Sequence, residues 1–357
     1  MSPRRALRVA FYYGGPREPD DQTNPYGGRL ADALGRLGVD VRFETVLDEA
    51  WVGQHVGLVD VLHYHWPSHE YTSPDSDRAT TEARMRRFLE RLDLARELGY
   101  RIVWTAHNLY PHDRRYEDLD REFRLELCQL ATAILAHCQV AADALRQEFS
   151  PAAPIFIVPH GHFIDVLPPS ISRENARAEA GIPAEAFVYG FIGNLLPYKG
   201  LEDLIASFRE AATDDAWLLL AGGGPADYHA QIRRLVGEDP RIVLRQFDYA
   251  PGVEFVKVLQ AADVIVLPFR ASTTSGSLVQ ALSWPRPAIV PSMGCLPAQM
   301  DADAGILYPP DERGALTTAL RRIRSMDLDA ARQAALRSAA RADWDDIARL
   351  TLDAYQA

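Results

Sequence analysis

"FVYGFIGNLLPYKGLEDLIASF", residues 187–208, decides the architecture. An apolar run from Phe187 to Ile192 gives way to "GNLLPYKG" (193–200), after which Leu201, Leu204, Ile205 and Phe208 recur at helical spacing. Run, turn and helix together make the repeating half of a parallel sheet, because parallel strands need a crossover that is usually helical. The alternation continues through the chain. "LRVAFYY", "DVRFETV", "VDVLHYHW", "YRIVWTAHN", "AILAHC" and "PIFIVPHG" read as strands in the first half. "FVYGFIG", "WLLLAGGG", "RIVLRQF", "DVIVLPF", "PAIVPS" and "GILYPP" read as strands in the second. The pattern predicts an α/β protein of two Rossmann-like, doubly wound units. A length of 357 residues, more than one core normally serves, agrees. A Pro-Pro pair and a polar stretch in "FIDVLPPSISRENARAEAGIP" set the expected boundary, with residues 1–168 in one domain and 169–341 in the next. By its pattern alone the helical ending, residues 342–357, fits either domain.

Bulk composition narrows the function. The formal net charge of −11 argues against a nucleic-acid binder, though an anionic ligand needs only a few local donors. Cys128, Cys138 and Cys295 are widely spaced and odd in number. They form neither a disulfide framework nor a zinc pattern, and read as reduced thiols in a cytoplasmic protein. The start, "MSPRRALRVAFYYGGPRE", reads as a first buried strand, since its apolar stretch is too short for a secretion signal. No stretch approaches the roughly 20 apolar residues of a membrane span, so contact with the inner membrane face would be peripheral.

Ligands of doubly wound sheets bind beyond the carboxyl ends of the strands. The polar and glycine-rich segments "YYGG", "HYHWPSH", "WTAHN", "VPHGH", "GNLLPYKG", "AGGGP", "RQFDY" and "PFRASTTSGS" all fall there, which points to a ligand cleft between the two halves. "GNLLPYKG" is neither a Walker A loop nor a G-x-G-x-x-G fingerprint. Two glycines and Lys199 at a strand-to-helix turn nevertheless suit a phosphate, the alternative being an ordinary turn with a solvated lysine. In "RASTTSGSLVQAL" (270–282), Ser272, Thr273, Thr274, Ser275 and Ser277 crowd around Gly276 just before a helix beginning near Leu278. Free N–H groups and the helix dipole there suit a diphosphate, while Ser275 or Ser277 also fits a plain N-cap. Two such loops in one domain favour a nucleoside diphosphate.

His107 ends a strand beside Asn108, where an imidazole can take a proton from a substrate hydroxyl or donate to it. His160 and His162 flank Gly161 in the same manner. His63, His65, His69 and Glu70 form H-x-H-x-x-x-H-E, yet the Trp66-Pro67 loop and the missing cysteine partner argue for shaping a cleft over holding a metal. Asp75/Asp77 and Asp301/Asp303 read as caps or turns. Arg84, Arg86, Arg87 and Arg91 lie opposite an apolar stripe, as on a routine amphipathic helix. Gly27 and Gly28 open a helix after the first strand, allowing close backbone approach.

This set, in this order, resembles the GT-B-fold glycosyltransferases, particularly the retaining family 4. "NPYGGRLADALGRLGVDV" resembles the first glycine loop and helix of that family, "WTAHN" the strand ending in its active-site histidine, and "GNLLPYKG" its diphosphate loop. The ending "DWDDIARLTLDAY" resembles the helix that crosses back to the first domain. The resemblance implies transfer of a sugar from a UDP-, GDP- or TDP-sugar to an acceptor hydroxyl, with no metal required. It implies diphosphate contacts at Lys199, Asn194, Ser275, Gly276, Ser277 and Leu278. Gln280, Phe247, Gly223 and Gly224 fall at the nucleoside, and Ser272, Thr273 and Thr274 at the donor sugar. Tyr26, Gly27, Gly28, His65, Trp66 and Asn108 fall on the acceptor side, with His107 as the catalytic histidine. The chain also departs from the family: Asn194 replaces its arginine, and Ser272 and Gln280 replace its two glutamates. Those losses leave the anomeric outcome open and suggest one alternative, a non-catalytic nucleotide-sugar-binding partner; a second alternative, a nucleotide-sugar epimerase with a similar two-domain plan, is opposed by the carboxylate-poor second loop.

Overall fold

The computed structural model describes residues 5–13, 25–73, 75–111, 115–164, 166, 171–247 and 252–357. Twelve strands form: β1 Arg8–Tyr12, β2 Asp40–Glu44, β3 Val61–Tyr64, β4 Arg101–Ala106, β5 Ala133–Ala136 and β6 Ile155–Ile157, then β7 Phe187–Ile192, β8 Ala216–Gly222, β9 Ile242–Gln246, β10 Val264–Val266, β11 Ala288–Pro291 and β12 Gly305–Tyr308. They build two six-stranded sheets, β2-β1-β3-β4-β5-β6 and β12-β11-β10-β7-β8-β9, and every pairing is parallel. The apolar runs are continuous rather than alternating because helices cover both faces of a parallel sheet.

The strand orders place the loops. In the first sheet the winding reverses between β1 and β3; in the second it reverses between β7 and β10. A crevice opens beyond the carboxyl ends at each reversal. Tyr13 and His65 lie at the first reversal. "GNLLPYKG" and "RASTTSGS", which follow β7 and β10, lie at the second.

Residues Tyr26–Pro159 and Trp344–Ala357, with β1, pack as one compact unit; His160–Asp343 pack as another. The expected boundary at 168/169 lies outside the described residues. Helix Trp344–Gln356 lies against helix Tyr26–Arg36 and against β4, β5 and β6. Arg101 donates to the Tyr355 carbonyl at 2.8 Å, and Arg36 pairs with Asp345 at 2.5 Å.

The second unit has its own core, in which Val188, Phe191, Leu201, Leu204, Phe208, Leu218 and Leu220 from β7, β8 and the helix between them are fully buried. One charged pair lies inside it. Arg177 donates to Asp263 at 2.8 Å and to the Ala186 and Ala261 carbonyls, while the other Asp263 oxygen receives Arg173 at 2.6 Å. Asp263 also accepts the Val188 amide at 2.8 Å, which fixes helix Arg173–Ala180 to the start of β7.

Several expectations resolve locally. Asp77 caps helix Arg78–Glu97 by accepting from Thr80 N, and Asp301 and Asp303 pair with Arg341 and Arg337. Arg84, Arg86 and Arg91 of that helix engage Ser76, Glu82 and the Leu47 carbonyl, while Met85, Phe88 and Leu92 are buried. Cys128 is a free, buried thiol; Cys138 and Cys295 both have partners, so the reading of three free thiols holds for Cys128 alone. Among the described residues no helix is long and apolar enough to cross a membrane.

Candidate functional site

At the reversal of the second sheet, the loop after β7 is folded tightly against its neighbours. Gly200 sits at φ +70, and a Cβ there would come 2.1 Å from the Pro268 carbonyl oxygen. A Cβ on Gly222 would come 1.8 Å from the Gly193 oxygen, so the loops after β7 and β8 touch backbone to backbone. Only glycine permits such an approach. Leu195 N donates to Gly223 O at 2.6 Å and closes that contact.

Lys199 ends the short turn Pro197–Lys199. Its Nζ lies 4.4 Å from the Phe269 ring centroid and 5.0 Å from that of Tyr198. Burial alone pushes its ammonium down to about 8. Arg270 holds this turn in place. Its N–H donates to Tyr198 O at 2.8 Å, and its guanidinium reaches Pro197 O, Asp203 and Glu202. Asn194, in contrast, is exposed.

Helix Gly276–Ser283 begins beside this loop, for a Cβ on Gly193 would lie 3.3 Å from Ser277 Oγ. Ser275 is its N-cap: Ser275 Oγ accepts Leu278 N at 3.1 Å, and Ser275 N donates to Gln299 Oε1 at 3.2 Å. Of the four amides expected to hold a diphosphate, those of Ser275 and Leu278 are thus committed to the fold. The amides of Gly276 and Ser277 have no partner among the described residues and stand at the positive end of the helix. The sugar-side residues serve the loop's own shape: Ser272 Oγ donates to Thr274 O at 3.2 Å, Thr273 O accepts Cys295 N at 2.7 Å, and Thr274 Oγ1 accepts from Gln299 at 3.1 Å. Gln280 is half-buried on the next turn, and Phe247 N donates to Gly222 O at 3.2 Å. Gly223 is buried and Gly224 exposed. His160 Nε2 lies 3.8 Å from where a Gly276 Cβ would sit, and His162 N donates to Ala342 O. Asp248 and Tyr249 of "RQFDY" lie outside the described residues, as do Gly14 and Gly15.

In the first unit, His65, His107 and His137 are each the first residue past the adjacent strands β3, β4 and β5, and their rings join in a row. His137 Nδ1 meets Val158 O at 2.8 Å, His137 Nε2 meets His107 Nδ1 at 3.0 Å, and His107 Nε2 meets His65 Nδ1 at 3.1 Å. A carbonyl only accepts, so His137 carries its proton on Nδ1. For neutral rings the remaining tautomers follow: His107 donates from Nδ1 to His137, His65 donates from Nδ1 to His107, and the chain ends on the lone pair of His65 Nε2. That atom is buried and has no hydrogen-bond partner among the described residues. Burial holds His65 well below its ordinary range and His137 at about 4.

His107 is therefore the middle of a row, with both ring nitrogens engaged by other histidines, rather than an open base. Trp66 stacks on it at 4.1 Å, and the Tyr26 ring meets it edge-on at 5.1 Å. The close approach that Gly27 allows is taken by Tyr13, whose ring would lie 3.0 Å from a Cβ there; Gly28 follows in the same first turn. The His63 ring lies 4.3 Å from that of His65 but hydrogen-bonds elsewhere, to Tyr355 OH and Thr105 Oγ1 at 2.7 Å each. Asn108 and Trp66 border a cavity of about 520 Å3 within this unit.

Sequence reasoning missed His137, Arg270 and Gln299. The rule that picked out His107, a polar residue directly after a strand, also applies to His137. Gln299 carries no local signal, because it arrives from a different loop.

Two parallel, doubly wound units with loops of this kind at their reversals match the GT-B fold. Residues 186–325 match the family described as glycosyl transferases group 1, and residues 87–165 match glycosyltransferase family 4. A GDP-mannose:glycolipid 4-beta-D-mannosyltransferase of Xanthomonas campestris pv. campestris is 30% identical over 308 residues, covering 82% of this chain and 78% of that protein. A D-inositol 3-phosphate glycosyltransferase of Corynebacterium efficiens is 29% identical over 227 residues, covering 58% of this chain and 53% of that protein. Sucrose-phosphate synthase from Thermosynechococcus elongatus shares the fold at a TM-score of 0.74 and 18% identity, over 99% of this chain and 98% of that one. Anabaena HepE, solved with UDP and glucose, does so at 0.72 and 16%, over 98% and 99%. The chain belongs to the group 1, family 4 glycosyltransferases and is an enzyme of carbohydrate biosynthesis. The epimerase and non-catalytic alternatives are not favoured, since the relatives whose names state an activity are transferases and a synthase.

Proposed function

We propose that the protein moves a sugar from a nucleoside-diphosphate sugar to an acceptor hydroxyl without needing a metal. One observation carries this reading: at the reversal of the second sheet, a lysine with no acidic partner among the described residues ends the loop that meets a helix N-terminus, and the first two amides of that helix have no partner among the described residues. As the donor bond breaks, charge grows on the leaving diphosphate. Lys199, Gly276 N, Ser277 N and the helix dipole are fixed in advance to meet it. Replacement of both family glutamates by Ser272 and Gln280 removes like charge near the phosphates, which partly offsets replacement of the arginine by Asn194. Gln280, Phe247, Gly223 and Gly224 are assigned to the nucleoside, and Ser272, Thr273 and Thr274 to the donor sugar.

Tyr26, Gly27, Gly28, His65, Trp66 and Asn108 are assigned to the acceptor side. His107 is assigned there too, stacked on Trp66 and held in orientation by the rings of His65 and His137. GDP-mannose is the first donor to test, given the 30% identical relative named for it; UDP- and TDP-sugars follow. A thermal-shift screen reads donor binding, because a ligand that binds only the folded state raises Tm. A hit from one nucleotide class, followed by sugar transfer in the presence of EDTA, supports the reading; no stabilisation by any nucleotide sugar overturns it.

A further inference from the structure

The segment that runs from the end of β11 into the short helix Leu296–Gln299 follows the loop 272–275 residue by residue. Gly294 sits at φ +52, and a Cβ there would clash with the carbonyl oxygens of Ser272 and Thr273. Cys295 N donates to Thr273 O at 2.7 Å. Gln299 holds the other end of the loop: its Oε1 accepts Ser275 N at 3.2 Å, and its Nε2 donates to Thr274 Oγ1 at 3.1 Å. The segment is in turn fastened just beyond Gln299, where Asp301 N donates to Ser338 Oγ at 3.1 Å and the Asp301 carboxylate pairs with Arg341.

These bonds fix which way the Gln299 amide points. A backbone N–H only donates, so the amide oxygen faces Ser275 and the NH2 faces Thr274. Thr274 Oγ1 is therefore an acceptor toward Gln299, and its own proton has no acceptor among the described residues. The hydroxyls on either side are used differently: Ser272 Oγ donates to Thr274 O, and Ser275 Oγ accepts Leu278 N. Thr274 is only half-buried, so its O–H is left to a group that enters the loop. Glutamine is the side chain this arrangement needs. Glutamate would accept from both neighbours, leucine would bond to neither, and asparagine is one CH2 shorter.

We propose that Gln299 is a positioning residue for recognition of the transferred sugar: it clamps the loop and holds Thr274 as a hydrogen-bond donor to a hydroxyl oxygen of that sugar. The proposal rests on the donor-sugar reading of Ser272, Thr273 and Thr274, and it adds a residue outside that loop on which the reading depends. Gln299 acts through Thr274 and is assigned no contact of its own with substrate.

The sugar's share of binding is read as the ratio of the calorimetric Kd for GDP to that for GDP-mannose. UDP with UDP-glucose, or TDP with TDP-glucose, takes their place if the donor screen selects that base. Gln299→Leu should lower this ratio about three- to tenfold and lower kcat/KM for transfer with it. Affinity for GDP alone should hold or rise in the same variant, because Ser275 N is released beside the amides of Gly276 and Ser277 at the helix start. A purely structural role would lower both affinities together. Thr274→Val should lower the ratio as Gln299→Leu does, and the double variant should be no worse than either, since both changes remove one contact. Additive losses, an unchanged ratio in Gln299→Leu, or GDP affinity falling in step with GDP-mannose affinity would overturn the proposal. Should Gln299→Leu fail to fold, Gln299→Glu replaces it: the carboxylate keeps the clamp but takes the Thr274 proton, so the ratio should still fall, and an unchanged ratio overturns the idea. Failure of every nucleotide to bind wild type overturns the donor reading and this proposal with it. Nucleotide binding with a ratio indifferent to Gln299 overturns this proposal alone.

Discussion

Lys199 has a folded-state pKa near 8, below the ordinary lysine value of 10.5, and burial is the cause. The sign has two consequences. Between pH 8 and 10.5 the unfolded chain holds the proton that the folded chain has released, so this group's contribution to stability rises with pH there. Diphosphate binding runs the other way, since it needs the cation. Affinity for a nucleoside diphosphate should be flat below pH 8 and fall about tenfold per pH unit above it, while Lys199→Arg stays flat to pH 9. Equal pH profiles for the two proteins would detach Lys199 from the phosphates. His107 presents a different residue-scale case. His107→Ala removes the group that accepts the His65 proton, freeing the His65 tautomer; kcat should drop about 10²–10⁴-fold with donor Kd unchanged. Full transfer activity would reduce the histidine row to architecture. Lys199 was legible because a lysine in a strand-to-helix turn is conspicuous. The row was not, because each histidine looks isolated until the β3–β4–β5 pairing brings the three strand ends together.

Elements explain why some expected site atoms are unavailable. Ser275 was readable either as a phosphate ligand or as a helix cap; its Oγ accepts Leu278 N and caps the helix, which leaves only its O–H as a donor. Helix starts consume some of the groups that would otherwise bind anions, and sequence does not tell which. Helix Arg173–Ala180 gives the clearest stability prediction. Asp263→Asn would leave Arg177, 1% exposed, without its counter-charge and should cost about 3–5 kcal/mol in a denaturant melt. The paired replacement Arg177→Met/Asp263→Leu should recover most of that loss. A cost below about 1 kcal/mol for Asp263→Asn would show that the pair is not structural.

At the scale of the whole molecule, all twelve strands were legible from apolar runs, since parallel strands are buried on both faces and lack alternation. Strand order was not legible, yet it places the two loops of the second sheet side by side at the β7/β10 reversal. The central claim is that Lys199 and the adjacent helix start form a diphosphate site. Calorimetric titration of wild-type protein and Lys199→Ala with the nucleoside diphosphate and monophosphate of the donor base found in the screen tests it most directly. The account predicts that wild type prefers the diphosphate by about tenfold or more and that Lys199→Ala loses this preference while still binding the nucleoside. An equal preference in both proteins would contradict it.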